Sequence, residues 1–149
     1  MELLPPQILA EIKQEDFYII KSEMDNIAKE MESKGTGYIT LPHIGVFKTG
    51  IVMEGLLIAD SLSVACNPSY VPTGKKTNTI ETFLSDGKNY ICNRFKTITA
   101  IFYCFELSGK LSKITKNLSG EKAIAYQHCV DYLMGKLSGH LLEEETQNS

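Results

Sequence analysis

The sequence of 149 residues contains no long apolar run. Its richest apolar stretches, residues 51–65 and 98–107, are interrupted by Glu54, Asp60 and Glu106. A membrane-spanning helix needs about 18 or more consecutive apolar residues. The basic start of a signal peptide is also missing, because the chain begins Met-Glu-Leu-Leu-Pro-Pro. We therefore predict a cytoplasmic protein that has no contact with a membrane.

Cysteine is sparse and unpaired in sequence. The four cysteines are Cys66, Cys92, Cys104 and Cys129, and no two of them form a Cys-x-x-Cys motif. A disulfide framework requires an oxidising compartment, which the predicted location excludes. We expect four free thiols that behave as small buried apolar side chains.

Catalytic and metal-binding patterns are absent as well. His43, His128 and His140 lie far apart in sequence, and no His-x-x-x-His occurs. The neighbours His128 and Cys129 would point about 100° apart on a helix. We therefore predict no catalytic residue, no metal site, no cofactor and no enzymatic activity. An enzyme remains an alternative only if a pocket joins His43 or His128 to a carboxylate and a thiol or hydroxyl.

The apolar spacing predicts a helix near the amino-terminal end. One stripe recurs at spacings of 3, 4, 3 and 4 in the series Phe17, Ile20, Met24, Ile27 and Met31. Gly35 follows, as glycine commonly does just past a helix end. Ser119 is placed to cap a last helix, whose apolar stripe would be Tyr126, Val130, Leu133, Leu137 and Leu141.

The middle of the chain is rich in β-branched residues. Residues 38–47, 51–58, 62–65 and 79–84 are predicted strands, and the proline-containing segment 67–78 is a predicted loop. Residues 88–107 fit two structures. The apolar spacing from Ile91 to Phe105 favours a helix, whereas Thr97, Ile98 and Thr99 favour a strand; we predict the helix.

These elements predict an α+β fold in which helices from both termini pack together and a small antiparallel β insertion occupies about residues 37–84. Residues 1–142 would form one domain, and residues 143–149 a flexible tail. Gly135 and Gly139 would lie one helical turn apart, which allows a neighbouring backbone to approach closely. We predict a helix-packing contact there, with loosening or termination of the helix as the alternative.

Charge is the one segregated feature of the sequence. Residues 1–73 carry 5 basic and 10 acidic residues, residues 74–122 carry 9 and 4, and residues 123–149 carry 1 and 4. A basic block interleaved with aromatic residues is typical of surfaces that bind a polyanion or an acidic partner. The predicted contact residues are Lys75, Lys76, Lys88, Arg94, Lys96, Lys110, Lys113, Lys116 and Lys122. An ordinary solvated surface is the alternative.

Residues 34–47, which read Lys-Gly-Thr-Gly-Tyr-Ile-Thr-Leu-Pro-His-Ile-Gly-Val-Phe, follow the first predicted helix. This segment locally resembles the passage from helix to strand in the bacterial HU-type DNA-binding fold. The likeness covers about a third of the chain and ends there, because apolar residues 51–65 replace the basic arm of that family.

From these patterns we predict a non-catalytic interaction subunit or adaptor of a larger assembly, with one or more protein partners and a capacity to form homo-oligomers. The alternative is a small nucleic-acid-binding module that uses the basic block.

Overall fold

The computed structural model describes residues 9–56, 60–82 and 87–136, together with the backbone of residues 139–141. The helices are α1 (Phe17–Ser22), α2 (Met24–Lys34) and α3 (Gly120–Leu133). The strands are β1 (Tyr38–Thr40), β2 (Gly50–Met53), β3 (Ala65–Pro72), β4 (Lys76–Thr82), β5 (Asn89–Phe95), β6 (Thr97–Phe105), β7 (Leu111–Ser119) and β8 (Gly139–Leu141).

The larger sheet has five antiparallel strands in the order β1-β2-β3-β6-β7. Strand β6 lies between β3 and β7 and pairs with β7 from Thr97 opposite Ser119 to Phe105 opposite Leu111. Side chains along β6 alternate between buried and half-buried, as a strand with one core-facing side requires. The buried face of β6 therefore forms the floor of the main core.

The smaller sheet has three antiparallel strands in the order β4-β5-β8. Tyr90, Cys92 and Arg94 of β5 point inward and are almost fully buried. Because β4 stands at the end of this order, one of its edges has no strand partner within the described part of the chain.

Helix α3 packs between the two sheets and closes the main core. Tyr126 is fully buried, and its hydroxyl lies 2.9 Å from the Ser69 carbonyl oxygen and 3.1 Å from that of Ile101. The apolar core members include Ile51, Met53, Leu56, Ala65, Ile98, Ala100, Phe102, Cys104, Leu118, Ala123, Cys129, Val130 and Leu133. The fold therefore holds α3 at a fixed depth against both sheets.

Helices α1 and α2 cover a second core. Their residues Phe17, Ile20 and Ile27 pack with Ile39, Val52 and other apolar side chains. Helix α2 ends as predicted at Gly35, whose φ of 61° is the left-handed conformation that glycine adopts without strain.

The predicted fold class is wrong. Strands dominate, and no bundle of helices from the two termini surrounds a small β insertion in the part of the chain described. Residues 88–107 form β5 and β6 rather than a helix, and the predicted loop at 67–78 is largely β3 and β4. Ile98 and Phe102 are four residues apart, a spacing that places two side chains on one face of a helix and also on one face of a strand.

The predicted helix-packing glycines are separated by a change of structure. Gly135 lies beyond the end of α3 with φ of 71°, and Gly139 begins β8, where it pairs with Cys92. The close helical contact predicted for them is therefore absent from the described backbone. The predicted tail at 143–149 lies outside the described residues.

Two other features bear on the sequence predictions. No described helix is long and apolar enough to span a membrane. All four cysteines, at positions 66, 92, 104 and 129, are buried free thiols, as predicted.

We expect Phe102→Ala to lower the free energy of unfolding by about 3–5 kcal/mol, because it opens a cavity under α3 where Phe102 is fully buried. Urea denaturation measures this loss. Val71→Ala is the matched control, since Val71 is 50% exposed on β3 and should change stability by less than about 0.5 kcal/mol. Equal losses in the two variants would contradict this placement of the core.

Candidate functional site

A groove of about 600 Å³ lies beside β4 and α3. Its lining residues are Gly37, Tyr38, Met53, Glu54, Thr79, Ile80, Glu81, Thr82, Glu121, Lys122, Ile124, Ala125 and His128. This volume falls within the range of about 300–1,000 Å³ that is common for ligand pockets. The lining combines apolar side chains with a small set of polar groups, the composition expected of a binding site.

His128 stands in the groove wall with its imidazole held by a carboxylate. Its Nδ1 lies 2.7 Å from Oε1 of Glu81. Because an ionised carboxylate can only accept, Nδ1 carries the proton and donates it in this bond. The side chain of His128 is 9% exposed and that of Glu81 is 8% exposed. The strand β4 therefore fixes the orientation of a histidine that belongs to α3.

Arg94 completes a buried ionic network behind this pair. Its Nε and Nη2 donate to the two oxygens of Glu81 at 2.9 Å, which is a bidentate geometry. Its Nη1 donates to Oδ2 of Asp131 at 2.6 Å. Tyr70 donates to the other oxygen of Asp131 at 3.3 Å. The network thus ties β4, β5, β3 and α3 together behind the groove.

The network also sets the charge of Glu81. Burial alone would raise the pKa of this carboxyl group. Hydrogen bonds from His128 and Arg94, the positive charge of Arg94, and a further hydrogen bond from Thr79 outweigh burial and lower the pKa to about 2. Glu81 is therefore an anion throughout the neutral and mildly acidic range.

Two further rings lie close to His128. The Tyr38 ring centroid is 5.9 Å from that of His128, and burial raises the pKa of Tyr38 to about 12, so the phenol keeps its proton. His43 stacks on Tyr132 with centroids 4.8 Å apart, and its Nδ1 bonds with the Thr40 hydroxyl. Burial, then Lys34 and His128, lower the pKa of His43 to about 4, so its ring is neutral at pH 7.

The mouth of the groove is formed by the edge of β4 that pairs with no other described strand and by an exposed apolar side chain. Ile80 lies in the middle of β4 and is 69% exposed. A second cavity of about 560 Å³ shares Gly37 and Glu54 with the first. Together these features give an elongated site with an open backbone edge along one side.

The structure scatters the predicted basic contact residues. Lys75 and Lys96 lie at adjoining turns, where the Lys96 amide donates to the Lys75 carbonyl oxygen at 2.8 Å, and Lys76 is the first residue of β4. Lys110 and Lys113 lie towards the opposite end of the β6–β7 hairpin, at least about 20 Å away by strand length.

The remaining four members of the basic block are also separated. Lys88 lies just before β5, and Lys116 donates to the Leu56 carbonyl oxygen at 3.0 Å. Lys122 lines the groove from the first turn of α3. Arg94 is 2% exposed inside the ionic network. The block therefore does not form one continuous basic surface.

Sequence reasoning named His128 and Arg94 separately but missed Glu81, which joins them. Glu81 sits in β4 among polar residues, and its partner Arg94 is 13 positions away on the next strand. The only local signal was the lone arginine among the nine basic residues of the block. An arginine inside a strand of alternating pattern needs a buried carboxylate partner, and this could have pointed to Glu81.

Comparison with solved structures identifies the fold. The chain matches a Plasmodium falciparum peptide deformylase with a TM-score of 0.76 at 21% identity, over 97% of this chain and 88% of that one. It matches the deformylase of the Vibrio parahaemolyticus bacteriophage VP16T with a TM-score of 0.71 at 22% identity, over 91% and 93%. A Thermotoga maritima deformylase gives 0.69 at 20%, over 91% and 87%. The sequence matches no family model and no curated protein.

These matches overturn the functional predictions. A non-catalytic interaction subunit, a nucleic-acid-binding module and the absence of enzymatic activity were predicted, and the fold is instead one found in deformylases, which are enzymes. The local likeness to the HU-type fold does not extend to the whole chain. The groove does bring His128 to a carboxylate, Glu81, and a hydroxyl, Thr79, as the enzyme alternative required.

Peptide deformylases are metalloenzymes. The described part of this chain does not present a comparable metal-binding group. Within residues 9–56, 60–82 and 87–136, no three His, Cys, Asp or Glu side chains converge in a way that could hold a metal. The side chains of Glu81 and Asp131 are instead directed at Arg94.

We expect Arg94→Met to lower the free energy of unfolding by about 3–5 kcal/mol, because it leaves Glu81 and Asp131 buried without their cation. Lys96→Met is the control, since Lys96 is exposed two positions along and should change stability by less than about 0.5 kcal/mol. Chemical denaturation at neutral pH measures both. A loss in Arg94→Met no larger than in the control would contradict a stabilising network.

The low pKa of Glu81 predicts a specific dependence of stability on pH. Its ionisation stabilises the folded state above about pH 4.5, and this contribution is lost as the pH falls from about 4.5 towards about 2. The loss amounts to roughly 3 kcal/mol. Urea denaturation of the wild type and of Glu81→Gln should therefore give stabilities that converge as the solution is acidified. Two curves that stay parallel over this range would refute the assignment.

Proposed function

We propose that this chain binds the amino-terminal end of a polypeptide in the groove beside β4 and α3. The single observation that carries the proposal is the edge of β4, which has no strand partner among the residues the structure describes, along a groove of about 600 Å³. An extended peptide can add to such an edge as one more strand, with main-chain hydrogen bonds supplying affinity. The fold shared with peptide deformylases, enzymes named for their action on peptides, supports the same class of ligand.

The lining has an apolar part and a polar part, which would contact different groups of the peptide. Met53, Ile80 and Ile124 provide apolar contacts for a side chain of the peptide. His128, oriented by Glu81, stands where a polar group of the peptide terminus would meet the protein. The buried network keeps this imidazole in one orientation, so ligand binding does not lose side-chain entropy by ordering it.

Hydrolysis of the terminal amide is a second candidate function. The hydrogen bond between His128 and Glu81 favours it, because a histidine oriented by a buried carboxylate is a common component of acid–base catalysis. In this proposal the wall of the peptide groove is also the reaction site.

A cytoplasmic location is part of the proposal, and the four free cysteines agree with it. Protein partners and homo-oligomers remain predictions.

Fluorescence anisotropy tests the binding proposal directly. The probes are short Met-Ala-Ser peptides with a carboxyl-terminal fluorophore and a formyl, acetyl or free amino end. We expect saturable binding of at least one probe and a loss of about tenfold in affinity for Ile80→Asp, which places a charge at the mouth of the groove. Release of formate from the formyl probe, measured in parallel, tests hydrolysis.

Val71→Asp is the matched control for this experiment. Val71 is an exposed apolar residue on β3 that does not line the groove, so the same substitution there should leave affinity unchanged. If no probe binds, or if the two variants weaken binding equally, peptide binding at the β4 edge is wrong.

A further inference from the structure

The structure points to a deformylase fold that works without a metal ion at His128. The inference concerns the donor groups around this histidine and does not depend on which ligand the groove takes.

A helix that binds a metal through histidines presents two of them four residues apart on one face, with a glutamate after the first acting as base. Helix α3 supplies only one imidazole in this pattern. The position four residues after His128 is Tyr132, and the position directly after it is Cys129. Tyr132 makes a face-to-face stack on His43. The second imidazole ligand is therefore replaced by an aromatic ring engaged in packing.

The thiol of Cys129 is equally unsuited to binding a metal. A metal binds the thiolate form of cysteine. Cys129 is fully buried, and burial raises its pKa far above the neutral range, so the thiol keeps its proton. The conserved geometry of an α-helix also directs this side chain about 100° away from that of His128. Cys129 is a member of the main core rather than of the groove.

The carboxylates near His128 are occupied as well. Glu81 accepts hydrogen bonds from His128, Arg94 and Thr79, and Asp131 accepts from Arg94 and Tyr70. A metal ion in their place would stand beside the buried guanidinium of Arg94, which repels it. The cationic position behind the groove is therefore already filled by a side chain of this chain.

Metal analysis of the purified chain tests the inference. Protein expressed with zinc, iron, nickel and cobalt in the medium is measured for metal content, and the apo chain is titrated with cobalt(II) while ligand-field absorption is recorded. We expect less than about 0.1 metal per chain and no tight cobalt site in the wild type, with His128→Asn indistinguishable from it. Metal that the wild type and His128→Asn retain in equal amounts must lie away from His128, and this result agrees with the inference.

Tyr132→His is the positive control, because it creates the pair of imidazoles one helical turn apart. We expect it to bind cobalt(II) at least about tenfold more tightly than the wild type. Tyr132→Phe, which keeps the ring and lacks the new ligand, should behave like the wild type. About one metal per chain in the wild type, lost in His128→Asn, would overturn the inference even if Tyr132→His failed to fold.

Discussion

The guanidinium of Arg94 is the group on which the rest of the site depends. It joins Glu81 of β4 to Asp131 of α3 from its own position on β5. Three charged side chains are removed from water here, and removing the guanidinium would leave two carboxylates without a cation in a medium of low polarity. Because Glu81 also holds His128, the same contact that joins the small sheet to α3 orients the histidine in the groove wall.

This arrangement links stability to function. The β4 edge and α3 form opposite sides of the groove, and the ionic network is the polar connection between them. The apolar core under α3 fixes the depth of the helix, whereas the network fixes its orientation relative to β4. A protein that keeps both can present a preorganised groove, even though a core of apolar residues alone would be easier to stabilise.

Local patterns were sufficient for some elements and insufficient for others. The stripe from Phe17 to Met31 predicted the helical segment, and Gly35 its end, because both depend on neighbours in sequence. The β5–β6 hairpin was missed because the apolar residues from Ile91 to Phe105 also recur at helical spacing, and no glycine or proline marks the turn at Lys96. The groove could not be predicted, because Glu81 and His128 are 47 positions apart in sequence and come into contact only in the folded structure.

The most direct test of the account is a heteronuclear NMR titration of the isotope-labelled chain with the peptide probe that binds best. Addition of a strand at the β4 edge predicts that the largest amide shift changes fall on residues 79–82 and on His128, while the turns that carry Lys75 and Lys96 remain unchanged. Changes confined to those basic turns, or spread evenly over the larger sheet, would contradict a peptide groove organised by the Arg94 network.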